Sequence, residues 1–323
     1  MKAALISGPN TTPIYGDFRE PSVTKEGTQL VAVSASALSQ FTKGRASGSH
    51  YTSTGAYPII PGADGVGRTS DGRRVYFALP EEPFGALAET TLVDSQRCIP
   101  VPDALDDVTA AAIANPGMSA WAALFERAHL QRGETVLVNG ATGTAGRIAV
   151  QIAKHFGAGR VIGTGRNAAE LAALLALGAD AVIPFRLEEP NGANAYEEAL
   201  TGEFERGIDV VIDYLWGASA KTVIVAIAKA VEDAHPVRFV HVGGSSGEPN
   251  VELPGAALRS SAMQLMGSGA KSVPLPKLLA AVGKVFDAVG PANLQIATKV
   301  VPLSSIEENW RAPGKPRVVF TMK

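Results

Sequence analysis

Cysteine is almost absent from this chain: Cys98 is the only one in 323 residues. No internal disulfide can form, and a four-cysteine structural metal lobe is excluded. Neither sign of charge is in excess. There are 29 basic and 31 acidic residues, a formal net charge of −2, with no basic block and no acidic tail. A nucleic-acid or membrane-surface footprint is therefore not expected. Long apolar runs are lacking too, and none reaches the ~18 residues that a bilayer span requires. The apolar stretch 1–7, stopped by Gly8 and Pro9, is too short for a signal-peptide core. These absences lead us to expect a cytoplasmic protein without a membrane segment. Cys98 itself lies beside Ile99 and Pro100 and reads as a small core residue rather than a reactive thiol. Repeats and low-complexity segments are missing as well.

What is present is a globular composition, 46% hydrophobic and 19% charged, with length enough for about two domains of ~150 residues. The pattern changes along the chain. Residues 1–116 hold short β-like runs separated by Gly, Pro and Ser, as at 29–33, 74–78 and 88–93, which predicts a small, partly open β-barrel. Residues 117–270 alternate strands and helices. Strands are expected at 135–139, 160–164, 181–184, 208–213, 237–242 and 262–267, and helices at 147–156, 168–177 and 218–231. Six strands with helical crossovers predict an α/β fold with a doubly wound parallel sheet. Asn167 and Glu170 have the spacing of an N-terminal cap. Residues 271–323 return to β character, with strands at 297–301 and 317–321 around a short helix. Ser304 and Glu307 have capping-box spacing there.

The segment 136–146 carries most of the functional signal. An apolar run, Val136-Leu137-Val138-Asn139, leads into Gly140, Ala141, Thr142, Gly143, Thr144, Ala145 and Gly146, and a helix-compatible stretch follows. The first glycine allows a tight turn. The second lets a pyrophosphate reach the backbone, and the third lets helix and strand pack closely. Exposed N–H groups and the positive end of the helix dipole then hold the anion. A glycine-rich turn with only a packing role is the alternative. The second strand of this unit ends Gly165-Arg166-Asn167, without the carboxylate that binds a ribose 2′-OH in NAD sites. The Arg166 guanidinium suits a 2′-phosphate, so NADPH is the expected cofactor. The alternative for Arg166 is a solvated residue at a helix start. Gly243, Gly244, Ser245 and Ser246 follow the fifth strand, and Gly267 and Ser268 the sixth. Such small residues at the carboxyl edge allow a nicotinamide to approach.

The chain resembles the medium-chain dehydrogenase/reductase superfamily, and within it the zinc-free, zeta-crystallin-like quinone oxidoreductases. The resemblance rests on Gly48-Ser49-His50-Tyr51, on Pro61-Gly62-Ala63-Asp64-Gly65-Val66-Gly67, on the loop 140–146, on Gly163-Thr164-Gly165-Arg166, on Val242-Gly243-Gly244-Ser245 and on Met266-Gly267-Ser268. It implies that the β-rich part is a GroES-like catalytic domain. It also implies a catalytic Tyr51 facing the nicotinamide as the candidate donor to the carbonyl oxygen, with a bond to the cofactor ribose or a water, or a plain surface place on the barrel, as the alternatives, and Phe185 stacked near the adenine or lying in the core. Trp216 would wall the pocket or pack plainly. Where zinc-dependent relatives carry a histidine, this chain has Ala63, and the cysteine expected near Ala37-Leu38-Ser39 is absent. His50, His129, His155, His235 and His241 are scattered without ligand spacing, so no metal site is expected. Ser39 stands where relatives usually carry an asparagine, and the lysine that often follows the position of Arg166 is missing. Asp64, between Gly62 and Gly65, reads as a turn residue.

The expected activity is zinc-independent, NADPH-dependent hydride transfer to a small-molecule quinone or α,β-unsaturated carbonyl. Enoyl-thioester reduction, or NADPH binding without catalysis, are the alternatives. The apolar strand 262–266 is expected at a sheet edge and, by the resemblance, paired across a two-fold axis in a homodimer.

Overall fold

The computed structural model describes residues 1–322. The chain divides into two compact units: Met1–Asn115 with Val282–Val289 and Ile296–Lys323, and Pro116–Ala281 with Gly290–Gln295. Residues 271–281 and 290–295, grouped with the returning tail on sequence grounds, thus fall in the second unit.

The first unit begins with β1 (Lys2–Leu5), β2 (Ile14–Asp17), β3 (Thr28–Ala37), α1 (Gln40–Ala46), β4 (Asp64–Thr69), β5 (Arg74–Ala78), β6 (Thr90–Asp94) and β7 (Cys98–Pro100). β3 organises it. Its residues from Val31 to Ala35 pair antiparallel with β4, through a register shift between Val33 and Ala35. Its first half also pairs with β6, and its last three residues with a strand from the end of the chain. One strand serving three partners is what bends this sheet toward a barrel. Val31, Val33, Val75, Phe77, Ala86 and Val93 form its core.

After β7 comes α2 (Asp107–Trp121). The helical stretch Asp107–Arg127 is long and apolar enough to cross a membrane by length and composition. It is mostly buried, from Ala110–Ala114 to Ala122–Leu124, and it carries Pro116 in its interior. It is therefore a core helix.

The second unit is the doubly wound fold: β8 (Thr135–Asn139), α3 (Thr144–His155), β9 (Arg160–Gly165), α4 (Ala168–Leu175), β10 (Ala181–Pro184), α5 (Gly192–Phe204), β11 (Val210–Asp213), α6 (Gly217–Ala230), β12 (Arg238–His241), α7 (Gly255–Arg259) and β13 (Gln264–Gly267). The sheet order is β10-β9-β8-β11-β12-β13, all parallel. Strand order reverses at β8, which places the switch point at the loop 140–146. Helices cover both faces of a parallel sheet, so its strands are continuous apolar runs rather than alternating ones. Val136, Leu137, Val138, Val210, Val211 and Ile212 are all fully buried. Asn167 caps α4, its side-chain oxygen accepting from Glu170 N at 3.1 Å.

The 15-residue α8 (Leu275–Val289) lies where the sequence predicts β character, within 271–323. After it come β14 (Thr298–Pro302), α9 (Ile306–Asn309) and β15 (Arg317–Thr321), which pairs with β3. The capping box expected at Ser304 and Glu307 does not form. A short turn of helix, Leu303–Ser305, precedes α9, no side chain caps α9, and Glu307 accepts from Tyr15 N at 3.3 Å instead.

Candidate active site

Three glycines make the turn after β8, each for a different physical reason. Gly140 has φ +83°, a left-handed conformation that a side chain strains. A Cβ on Gly146 would lie 2.5 Å from the Gly140 carbonyl oxygen and 2.7 Å from Ala141 Cα, so α3 could not pack on β8 with any other residue there. Gly143 is unlike both. Its φ is −70°, and a Cβ would meet nothing nearer than the Gly140 oxygen at 3.5 Å. Neither conformation nor packing asks for glycine there; the space beside it is open. No side chain caps α3, so its first turn, Thr144, Ala145 and Gly146, presents the helix dipole to that space. Gly244 repeats the pattern after β12: its φ is not left-handed, and nothing lies within 4 Å of its Cβ position. A phosphate-bearing dinucleotide fits this cradle.

A buried polar network holds the switch point together. The Asn139 side chain, at the end of β8, accepts from Thr164 Oγ1 (2.7 Å) and from the Tyr196 hydroxyl (3.0 Å), and it donates to Asp213 (2.9 Å) and Ser219 (2.8 Å). Thr164 Oγ1 in turn accepts from Gly140 N at 3.2 Å. The turn is thus fastened to the ends of β8, β9 and β11 at once. Asp213, completely buried, also accepts from Leu215 N and Trp216 N (both 3.1 Å) and meets His241 Nδ1 at 2.9 Å. Trp216 and Gly217 take left-handed φ values of 61° and 64°, a sharp exit from β11 held by those two N–H bonds. The Trp216 indole then packs on the His241 ring, with centroids 4.4 Å apart.

The remaining expected site residues divide. Arg166 is exposed just past the end of β9, next to the capping Asn167, and makes no ion pair among the described residues. The nearest carboxylate on α4, Glu170, pairs with Arg147 at 3.1 Å. Phe185 lies in the core: it is 6% exposed and stacks on Tyr196 at 4.8 Å, so of its two readings the structure shows the packing one. The loop of Gly243, Gly244, Ser245 and Ser246 folds back on β11, with N–H groups of Gly243, Ser245 and Ser246 bonding the carbonyls of Asp213, Tyr214 and Leu215. Ser268 N bonds the His241 carbonyl, and the Gly267 carbonyl accepts from Arg127. All of these lie in the second unit. Tyr51 lies in the first, 57% exposed on the turn after α1, with its ring 4.1 Å from that of His50.

Asp64 corrects the turn reading. It opens β4, is buried, and takes the Tyr76 hydroxyl at 3.1 Å. Burial pushes its carboxyl up to about 6 despite the positive charge of Arg317 nearby. A strand begins there because the ladder with β5 continues to the pair Asp64–Ala78. Ser39 caps α1 by accepting from Thr42 N (2.9 Å), and Thr42 Oγ1 accepts from Ala63 N. Ser39, Thr42 and Ala63 thus form a small buried hydrogen-bond cluster. Among the described residues no three His, Cys, Asp or Glu side chains are grouped to hold a metal. Cys98 is half-buried, takes a hydrogen bond from Gln29, and has its thiol pushed up by burial. What the sequence reading missed is the pairing of Asp213 with His241. The only signal for it was a polar residue at the last position of one predicted strand and at the next-to-last position of the following one.

The chain is similar to several known proteins. The family model described as zinc-binding dehydrogenase matches residues 145–273, a stretch inside the nucleotide fold that includes neither Ser39 nor Ala63. A probable NADPH-dependent quinone reductase, tdiC, of Emericella nidulans is 27% identical over 307 residues, 83% of this chain and 84% of that protein. A quinone oxidoreductase of Pongo abelii is 31% identical over 226 residues, 67% of this chain and 66% of that protein. Among solved structures, the quinone oxidoreductase of Thermus thermophilus, also solved with NADPH, superposes with a TM-score of 0.81 over the full length of both chains at 24% identity. That last likeness is one of fold.

Proposed function

The chain belongs to the medium-chain dehydrogenase/reductase superfamily, among its quinone oxidoreductases, and on that premise we propose that it is an NADPH-dependent reductase transferring hydride to a quinone or an α,β-unsaturated carbonyl. The observation that carries the reading is the cradle around Gly143: a glycine that the protein itself does not need, at the switch point of a doubly wound sheet. Bound NADPH supplies the hydride. The chain's own residues do the rest. The N–H groups of the first turn of α3 hold the pyrophosphate. Arg166 meets the 2′-phosphate, with no free carboxylate at the end of β9 to oppose it. The small residues after β12 and β13 leave room for the nicotinamide. Tyr51 is the candidate hydrogen-bond donor that stabilises the negative charge developing on the substrate oxygen. The reaction runs without zinc, because Ala63 cannot ligate a metal and no cysteine stands near Ala37-Leu38-Ser39. Two copies of the chain pair along the free edge of β13, and the enzyme works in the cytoplasm.

The test is oxidation of NADPH by purified, chelator-treated protein, offered benzoquinone, phenanthrenequinone, 2-alkenals and an enoyl thioester, with NADH in parallel. Turnover of quinones or alkenals that survives chelation and prefers NADPH is expected. Arg166→Glu is expected to weaken NADPH by about tenfold or more, the effect of ~1.4 kcal/mol, while NADH changes less. Loss of turnover on chelation, or equal use of NADH, would overturn the corresponding part of the reading.

A further inference from the structure

His241 ends β12 at the carboxyl edge of the parallel sheet, on the β11–β12–β13 side of the switch point. Its Nδ1 lies 2.9 Å from the completely buried carboxylate of Asp213. Every other partner of that carboxylate is a donor: the Asn139 amide, Leu215 N and Trp216 N. A carboxylate surrounded by donors accepts from the imidazole as well, so Nδ1 carries a proton and the outward nitrogen is Nε2. Two further contacts hold the ring. Its face packs on Trp216 at 4.4 Å, and its backbone is clamped by the ladder to β13 and by Ser268 N on its carbonyl. The side chain nevertheless keeps 32% of its surface exposed. An imidazole fixed at one nitrogen by a buried carboxylate and open at the other is the arrangement of an oriented acid–base group. A histidine that served packing alone would not need a completely buried carboxylate, itself tied to the cofactor turn through Asn139, to hold it.

We propose that His241, oriented by Asp213, is the residue that returns a proton to the reduced substrate. The proposal rests on the reductase reading above. Hydride addition to the β-carbon of an enone, or to a quinone, forms a C–H or O–H bond and leaves an electron pair and a negative charge on the carbonyl oxygen. The Nε2–H bond of the doubly protonated ring then breaks as the O–H bond of the enol or hydroquinone forms. The neutral imidazole keeps Nδ1–H on Asp213 and takes its next proton from water. NADPH is the reductant, and water is the final proton source. The charged groups on the elements around the ring are Asp213 on β11, Arg127, which bonds the Gly267 carbonyl beside it, and Glu248, which bonds Ala218 N at the start of α6.

The decisive variant is His241→Asn, whose amide can still donate to Asp213 but has no group at the Nε2 position. Three quantities would be measured on the full-length protein: the affinity for NADPH by fluorescence, turnover with a 2-alkenal and a quinone in H2O and D2O, and the histidine tautomer in the free protein by long-range 15N NMR. The expected result is NADPH affinity within about threefold of wild type, with kcat down by ~10²-fold, the lower end for general acid catalysis. The variant should also lose the wild-type solvent isotope effect, and the wild-type NMR spectrum should show the Nδ1-protonated tautomer. Unchanged kcat and isotope effect in His241→Asn, or an Nε2-protonated neutral ring, would overturn the role of His241 alone. A wild-type protein that binds NADPH but turns over none of the substrates would overturn the reductase reading, and the inference with it.

Discussion

Asp64 is a residue on which burial, rather than a neighbour, decides the chemistry. Desolvation raises its carboxyl to about 6 from an ordinary value of 3.8, outweighing Arg317 and the hydrogen bond from Tyr76, both of which act to lower it. A raised carboxylate means that the folded state holds its proton more tightly than the unfolded one. This group's contribution to stability is therefore fully present below about pH 4 and is lost as pH rises through 6, a change of about 3 kcal/mol from a shift of ~2 units. Asp64→Asn removes the titration. Urea unfolding across pH should show the difference in stability between variant and wild type moving in the variant's favour between pH 4 and 7. A constant difference would refute the assignment. At pH 7 the variant should still be less stable than a simple sum suggests, since Arg317 loses its buried counter-charge. None of this was legible in the sequence. The flanking glycines pointed to a turn, and only the ladder between β4 and β5 shows that Asp64 begins a strand. Arg166 is the opposite case: its exposed place beyond β9 follows directly from its position in the motif.

At the scale of elements, the strand–turn–helix unit was readable in advance because each of its requirements is local. β8 is a run of apolar residues, the turn needs glycine where φ is positive, and α3 places small residues where it meets the strand. The structure separates glycines that conformation or packing requires, Gly140 and Gly146, from one that neither requires, Gly143. Gly146→Ala would put a methyl group 2.5 Å from the Gly140 oxygen, and it should cost about 1–3 kcal/mol of stability through overpacking. Gly143→Ala has a compatible φ and open space, and stability should stay within ~0.5 kcal/mol. The same methyl group would stand in the path of the pyrophosphate, and a penalty of about 1–3 kcal/mol there corresponds to a loss of roughly 5- to 150-fold in NADPH affinity. Thermal unfolding and a fluorescence titration of the two variants check both halves. Equal effects of both substitutions on affinity and stability would mean that the loop is only a packing turn. The helix α8 escaped the sequence reading for a related reason: its neighbours 298–302 and 317–321 read as strands, and that β character was extended over the whole segment.

For the whole molecule, the order β10-β9-β8-β11-β12-β13 leaves β13 at one edge of the sheet, with Leu265 exposed along it. A free, apolar edge strand is a template for pairing. If two copies join there, sedimentation should show twice the chain mass of 33.5 kDa. Leu265→Lys, a charge on the edge, should shift the protein toward monomer at micromolar concentration with little loss of monomer stability. A wild-type monomer would overturn the dimer proposal. The sequence by itself determined the class of the fold, the order of its strands along the chain, the place of the glycine-rich turn after β8 and which residue types stand at positions 39 and 63. These follow from periodicity, from glycine's conformational freedom and from side-chain chemistry, all of which act over a few residues. Only the tertiary structure decided that β3 serves three partners, that Asp64 is buried against Tyr76, and that Asp213 and His241 form one oriented pair. Those facts depend on which strands lie side by side. Asp213 and His241 are 28 residues apart in the chain and 2.9 Å apart in space, because parallel strands joined by a helix bring their carboxyl ends to the same edge.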